Sequence, residues 1–268
     1  MRNSKSSCVI SVFTDLGKST ETVIETALSI AKVTGGSMDI FHVKKCSKIV
    51  HSDNQLSASR SINNEYVKTE KKIEELITKY STKYNVAISY SFSFGNIKNN
   101  IEVYLEKNNP DILVIGKQSS APIRFLGNGV TDLVLKRYKG ELIIADEENK
   151  LVPDALINMG FLNKLQPFKN FEFFTQITKN VIEPIKTFQF TDKVNHDKKA
   201  IEFFKNKKMV EFIFEKSSNV VNNLSKYLQK NNINLLCLSR TKSELTGKEL
   251  DVSDVLNKLN ISLLVTTN

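Results

Sequence analysis

The residues with the clearest chemical potential lie between Asp111 and Leu135. Gly116, Ser119, Gly127 and Gly129 punctuate a loop rich in small residues there, and Val130-Thr131-Asp132 follows it. Glycines let backbone N–H groups turn toward an anion, and a helix that starts at the same spot adds its positive end. The chemistry this layout supports is the cradling of a phosphate, with Thr131-Asp132 suited to capping the helix.

Other chemistry is poorly provided for. His42, His51 and His196 are scattered, with no second ligand three or four residues away, which disfavours a zinc or two-metal site. Cys8, Cys46 and Cys237 form no CxxC pair, and two of them sit in apolar runs, so they read as reduced packing residues. No nucleophile is accompanied by a base and no acid pair stands at a useful spacing. The expectation is a protein that is not an enzyme.

The loop needs a scaffold, and the flanking sequence supplies one. Asp111 to Gly116 is an apolar, β-branched run of the kind found in a parallel strand covered on both faces. Upstream, Ser7 to Thr14 reads as a strand, Val23 to Ala31 as a helix closed by Gly35-Gly36, and Met38 to Val43 as a second strand. Such a βαβ unit winds right-handed and forces a parallel sheet. Lys44 to Asn64 is polar and reads as a flexible excursion, followed by an amphipathic helix from Tyr66 to Tyr80. A strand over Val86–Phe94, a helix over Ile97–Asn108, a helix from about Gly129 to Tyr138 and a strand over Glu141–Ala145 complete the first half.

Composition fits a globular α/β protein, with 40% hydrophobic and 25% charged residues in 268. No apolar run approaches the ~20 residues of a membrane helix, and the opening residues do not read as a signal peptide, so a cytoplasmic location is expected. The formal charge of +9 is spread over lysines interleaved with Glu and Asn. That is a solvated surface rather than a nucleic-acid face.

An internal repeat organises the chain. The segment from Ile97 to Lys117 recurs without gaps from Val220 to Arg240, with Tyr104, Leu105 and Lys107-Asn-Asn109 answered by Tyr227, Leu228 and Lys230-Asn-Asn232. Ser253-Asp254 answers Thr131-Asp132, and Leu263 to Val265 answers Leu142 to Ile144. Working backwards, Val210 to Phe214, Ile185 to Phe190 and Ala155 to Phe161 answer the third, second and first strands, in a copy shorter by about 24 residues. The expected domains are 1–150 and 151–268, the second degenerate. Its loop after Leu238 keeps only Gly247 and carries Glu244 and Glu249, and Phe161 falls roughly where the first half has Asp15.

With these motifs in view, the chain resembles the universal stress proteins, in their tandem form with two domains in one polypeptide. Val12-Phe-Thr-Asp15, Phe41-His-Val43 and Asp111 to Gly116 carry the resemblance. It implies two five-stranded parallel α/β domains of Rossmann-like, adenine-nucleotide-binding type related by a pseudo-two-fold. It also implies a non-enzymatic stress-response or regulatory protein acting through ligand or protein binding, with an ATP sensor confined to the first domain as the alternative.

In ATP-binding members a first-strand Asp and a second-strand residue hold the adenosine, and a Gly-x2-Gly-x9-Gly-Ser/Thr loop holds the phosphates, with Mg. By position the resemblance assigns these roles to Asp15, Val43, Gly116, Ser119, Gly129 and Val130, with Gly127 beside them. Ser119 stands where the family has glycine, and Val130 where it has a hydroxyl, unless a one-residue shift brings Thr131 into that role. Family members dimerise through the last strand. Here the terminal strands Glu141–Ala145 and Ile261–Thr266 are expected to pair within the chain, leaving open a further homodimer and a regulatory protein partner.

Overall fold

In the computed structural model, residues 8–45, 55–117, 129–162, 170–190, 207–214, 220–240, 255–256 and 258–266 are described. The elements are β1 (Val9–Thr14), α1 (Thr20–Thr34), β2 (Ser37–Lys44), α2 (Gln55–Tyr84), β3 (Ile88–Phe94), α3 (Ile97–Asn108), β4 (Ile112–Gly116), α4 (Val130–Arg137), β5 (Glu141–Ala145), β6 (Met159–Leu162), α5 (Phe171–Thr178), β7 (Ile185–Phe190), β8 (Met209–Phe214), α6 (Val220–Lys230), β9 (Leu235–Ser239) and β10 (Ser262–Thr266).

Ten strands form one sheet in the order β3-β2-β1-β4-β5-β10-β9-β6-β7-β8. Every neighbouring pair is parallel except β5 with β10, which run antiparallel with Leu142 opposite Val265 and Ile144 opposite Leu263. Read outward from this seam, both sides give the same sequence of strands, and the terminal strands that needed cover supply it to each other.

Local details recur with the strand order. The Val9 N–H donates to the Asp111 carboxylate, and the Asn158 N–H donates to the Asn234 side-chain carbonyl in the corresponding place. The Asn109 and Asn232 backbones, with φ of 38° and 52°, both take the left-handed turn that ends a helix. Asn is one of the few side chains that tolerates that region, which is why the Asn-Asn pair appears in both segments.

The apolar periodicity of α1 buries Val23, Ile24, Ala27, Leu28, Ile30 and Ala31 against the sheet, each large side chain contributing about 1.5–3 kcal/mol. Gly35, at φ 64°, terminates it. Two cores line the two faces of the sheet, and both cross the seam. One joins Ile24 and Leu28 to Phe173, Phe174 and Ile177 of α5; the other joins Leu113 and Val134 to Leu236, Leu256 and Leu259.

Three expectations need correction. The excursion after Lys44 was expected to stay irregular to Asn64, but α2 begins at Gln55. Its first ten residues are mostly polar yet contain no Gly or Pro, and polarity alone does not break a helix. Thr131-Asp132 does not cap α4: the N-cap is Gly129, and Thr131 and Asp132 lie inside the first turn. Phe161 faces Cys237 across β6 and β9, as Val12 faces Val114, so it answers Val12 rather than Asp15. The true counterpart of Asp15 falls at position 164, outside the described residues, as do Glu244, Gly247, Glu249 and Ser253-Asp254.

Among the described residues no helix is long and apolar enough to cross a membrane, and no cluster of His, Cys, Asp or Glu is arranged to hold a metal. Cys46, His51 and His196 lie outside them. Cys8 and Cys237 are free thiols; burial pushes Cys8 up to about 11 and Cys237 well above its ordinary range, so neither is an activated nucleophile.

Candidate functional site

On either side of the gap between β1 and β4 the chain leaves in opposite directions, β2 outward on one side and β5 on the other. A crevice at the carboxyl ends of strands is expected at such a point, and a cleft of about 140 Å³ lies there. Its lining combines the ends of β1, β2 and β4 with the starts of α1, α3 and α4.

The turn after β1 is held from four directions. The Leu16 N–H donates to the Thr14 hydroxyl at 3.0 Å, and the Gly17 N–H donates to the Asp15 carboxylate at 2.8 Å. The Lys72 ammonium of α2 donates to the Leu16 carbonyl at 2.6 Å. His42 Nδ1 lies 2.8 Å from the Thr14 carbonyl, which can only accept, so the ring carries its proton on Nδ1. Burial lowers the His42 pKa and keeps the imidazole neutral. These contacts secure Leu16 at φ 57°, an unusual conformation for a buried leucine, and set the exposed Asp15 at the mouth of the cleft.

Below Asp15 the cleft is aromatic. Phe13 and Phe41 line it, and Tyr104 stacks on Phe41 at 4.2 Å while meeting Phe13 edge-on at 5.3 Å. The buried Tyr104 hydroxyl donates to the Asp39 carboxylate and lies 2.8 Å from the Ser11 hydroxyl. Ser89 donates to the other Asp39 oxygen at 2.7 Å. Burial, reinforced by the bond to Asp39, raises the Tyr104 pKa far above its ordinary range, so this ring is a fixed support and not an acid.

Of the residues assigned from sequence, Asp15, Val43, Gly116, Val130 and Thr131 all line this one cleft. Gly129 caps the adjoining α4 at φ −82° and ψ 178°, a conformation open to any residue. Ser119 and Gly127 lie outside the described residues. Gly116 has a packing reason of its own, since a Cβ there would stand 2.9 Å from a methyl of Val23. Only glycine lets the first turn of α1 approach β4 so closely.

Sequence reasoning missed Phe13, Phe41, Ile97 and Ile101 as cleft residues. The strand period held the signal for two of them: Phe13 shares a face with Asp15, and Phe41 with Val43.

One neighbouring lysine turns away. Lys117 follows Gly116, but its ammonium donates across the seam to the Leu259 carbonyl at 2.6 Å and the Asn260 side chain at 3.4 Å, and on its own side to Asp146 at 3.1 Å. Arg240, its repeat counterpart, donates to the carbonyls of Leu135, at 2.9 Å, and Tyr138 at the end of α4.

A parallel α/β sheet with a cleft at its switch point defines the class of nucleotide-binding-type α/β folds. Residues 9–145 match the sequence profile of the universal stress protein family. The chain belongs to that family. A universal stress protein from Archaeoglobus fulgidus is similar over 97% of this chain and 96% of its own, at 15% identity and a TM-score of 0.68. A functionally unknown protein from Pseudomonas aeruginosa PAO1 is similar over 97% of this chain and 92% of its own, at 11% identity and a TM-score of 0.56. At these identities the likeness is one of fold. A search of curated protein sequences finds no match.

Proposed function

We propose that this protein acts by binding rather than by catalysis, as a stress-response or regulatory protein whose first half holds an adenine-nucleotide-type ligand and whose surface engages a regulatory protein. The observation that carries this reading is the convergence of Asp15, Val43, Gly116, Val130 and Thr131 on one switch-point cleft with an aromatic floor. Asp15 and Val43 would hold the sugar and base, and the start of α4 would face the remainder. The same reading places the protein in the cytoplasm, where Cys8 and Cys237 stay reduced.

The antiparallel seam between β5 and β10 and the recurrence of strand order support a second part of the proposal. Residues 1–150 and 151–268 are two copies of one domain, forming a pseudo-dimer within the chain. Only the first keeps the ligand residues; the second serves as a built-in partner.

Isothermal titration calorimetry of the purified full chain with adenosine and Mg-ATP, alongside native mass spectrometry for a retained small molecule, tests the ligand. Saturable binding is expected. The absence of both heat and retained ligand at millimolar nucleotide would overturn the reading.

A further inference from the structure

The two halves of the sheet differ most at their outermost strands. Val12 and Phe161 occupy equivalent places, since they face Val114 and Cys237, which correspond in the repeat. Carried outward through the ladder, this register makes Lys186 the counterpart of Asp39. It also makes Val210, Phe212 and Phe214 of β8 the counterparts of Ser89, Ser91 and Ser93 of β3.

The exchange moves apolar surface from one face of the edge strand to the other. In β3, Ile88 and Tyr90 point to the core under α2, and Ser89 turns to the α3 side, where it bonds Asp39. In β8, Phe212 and Phe214 join Phe188, Phe190 and Tyr227 on the α6 side. The cover there is incomplete: Val210, on the same side, is 39% exposed, and Phe212 and Phe214 are half-buried.

Charge changes along with it. Lys186 donates to the Asn158 side-chain carbonyl at 2.9 Å, and the Asn158 amide donates to the Asn231 carbonyl just past α6, so this ammonium is held beside the end of that helix. Lys230, in the last turn of α6, and Lys208, whose carbonyl accepts from the Ile185 N–H at the start of β7, are exposed at the same end of the strands. The Glu183 carboxylate there is taken by Lys207 at 2.9 Å. On α6 itself, Ser225, Lys226 and Gln229 stand where α3 has Glu102, Val103 and Glu106.

We infer that the strip of β8 beside α6 is a docking surface for an acidic polypeptide segment that also carries apolar side chains. This rests on the protein-binding part of the reading above, and it places the contact at the edge of the sheet remote from the cleft. Val210, Phe212 and Phe214 favour apolar side chains leaving water. Lys186, Lys208 and Lys230 at one end of the strip attract carboxylates and fix the direction of the segment. A second copy of the chain would bring the same lysines to the contact, and like charges oppose it. For nucleic acid the floor is unsuited, because its most exposed member is the aliphatic Val210, which offers a base no ring to stack on.

Selection of short random peptides displayed on phage against the immobilised full chain, followed by fluorescence anisotropy of the enriched peptides, tests the surface. The enriched sequences should combine Asp or Glu with apolar residues. Their dissociation constants should rise by about tenfold in Val210→Ser and in the double variant Lys208→Glu with Lys230→Glu. The same charge change on α3, Lys98→Glu with Lys107→Glu, should leave them within about twofold. Peptides without an acidic bias, or peptides that bind all the variants alike, would overturn the surface and leave the protein-binding reading intact. Failure to enrich any peptide would overturn both. Displacement of the peptides by an equal or lower concentration of oligothymidylate would make nucleic acid the occupant and overturn the inference. Urea unfolding of each variant separates loss of binding from loss of fold.

Discussion

Lys117 and Arg240 stand one residue beyond Gly116 and Ser239, and each reaches across the seam to backbone carbonyls just ahead of the other side's terminal strand. The exchange is reciprocal: Lys117 takes the carbonyl of Leu259, and Arg240 takes those of Leu135 and Tyr138. Cations favour helix C-termini, whose last carbonyls lack partners, and here each cation comes from 100 residues or more away in sequence.

Arg240→Met should therefore leave partly buried carbonyls unpaired and lower stability by about 2 kcal/mol. Lys117→Met should cost a similar amount by leaving the 7% exposed Asp146 carboxylate without its cation. The midpoint of urea unfolding measures both, and the losses should add in the double variant. An unchanged midpoint in Arg240→Met would show that the clamp contributes nothing.

Gly116→Ala should destabilise without any ligand present. The new Cβ would press on Val23 at 2.9 Å, and overpacking of this kind costs about 1–3 kcal/mol. Val23→Ala in the same background should recover part of the loss. A glycine kept only for phosphate would show neither effect.

His42 should make the fold sensitive to mild acid. Its pKa is lowered in the folded chain, chiefly by burial; the hydrogen bond to the Thr14 carbonyl and the charge of Asp15 oppose this, and Lys44 and Lys72 add to it. The unfolded chain then binds more protons below about pH 6.5, so stability is full above that value and falls as pH drops through the folded pKa. Thermal unfolding should show Tm falling by about a few degrees between pH 7.5 and 5.5, a fall that flattens in His42→Gln.

The strand that would pair between two copies is already paired within one. Because β10 occupies the edge of β5, light scattering of the eluting full chain should give the mass of a monomer. A dimer would show that another surface, such as the outer edge of β3 or β8, mediates assembly.

Much of the scaffold was legible in the sequence because its signals are local. The β-branched runs that became β1, β4 and β5, the Gly35 stop and the Asn109 and Asn232 turns each act within a few residues. What stayed hidden depends on distant partners. Nothing near Lys117 reveals that its ammonium belongs to Leu259, and nothing in Gly116 separates a phosphate-facing glycine from one pressed against Val23. The start of α2 was obscured for a different reason: its first turns are helical in a segment too polar to show an apolar stripe. At the cleft, Asp15 and Val43 stood out through their motifs, while Phe13 and Phe41 looked like ordinary strand residues.

The antiparallel seam also gives the molecule two opposite ends. All strands from β1 to β5 point their carboxyl ends one way, and β6 to β10 point theirs the other. The cleft therefore opens at one end of the sheet, and the equivalent end of the second half faces away from it. A small molecule at the first end and a protein at the second would not compete for space. Any communication between them must pass through the shared sheet and its two cores, with Lys117 and Arg240 as its fastenings at either end of the seam.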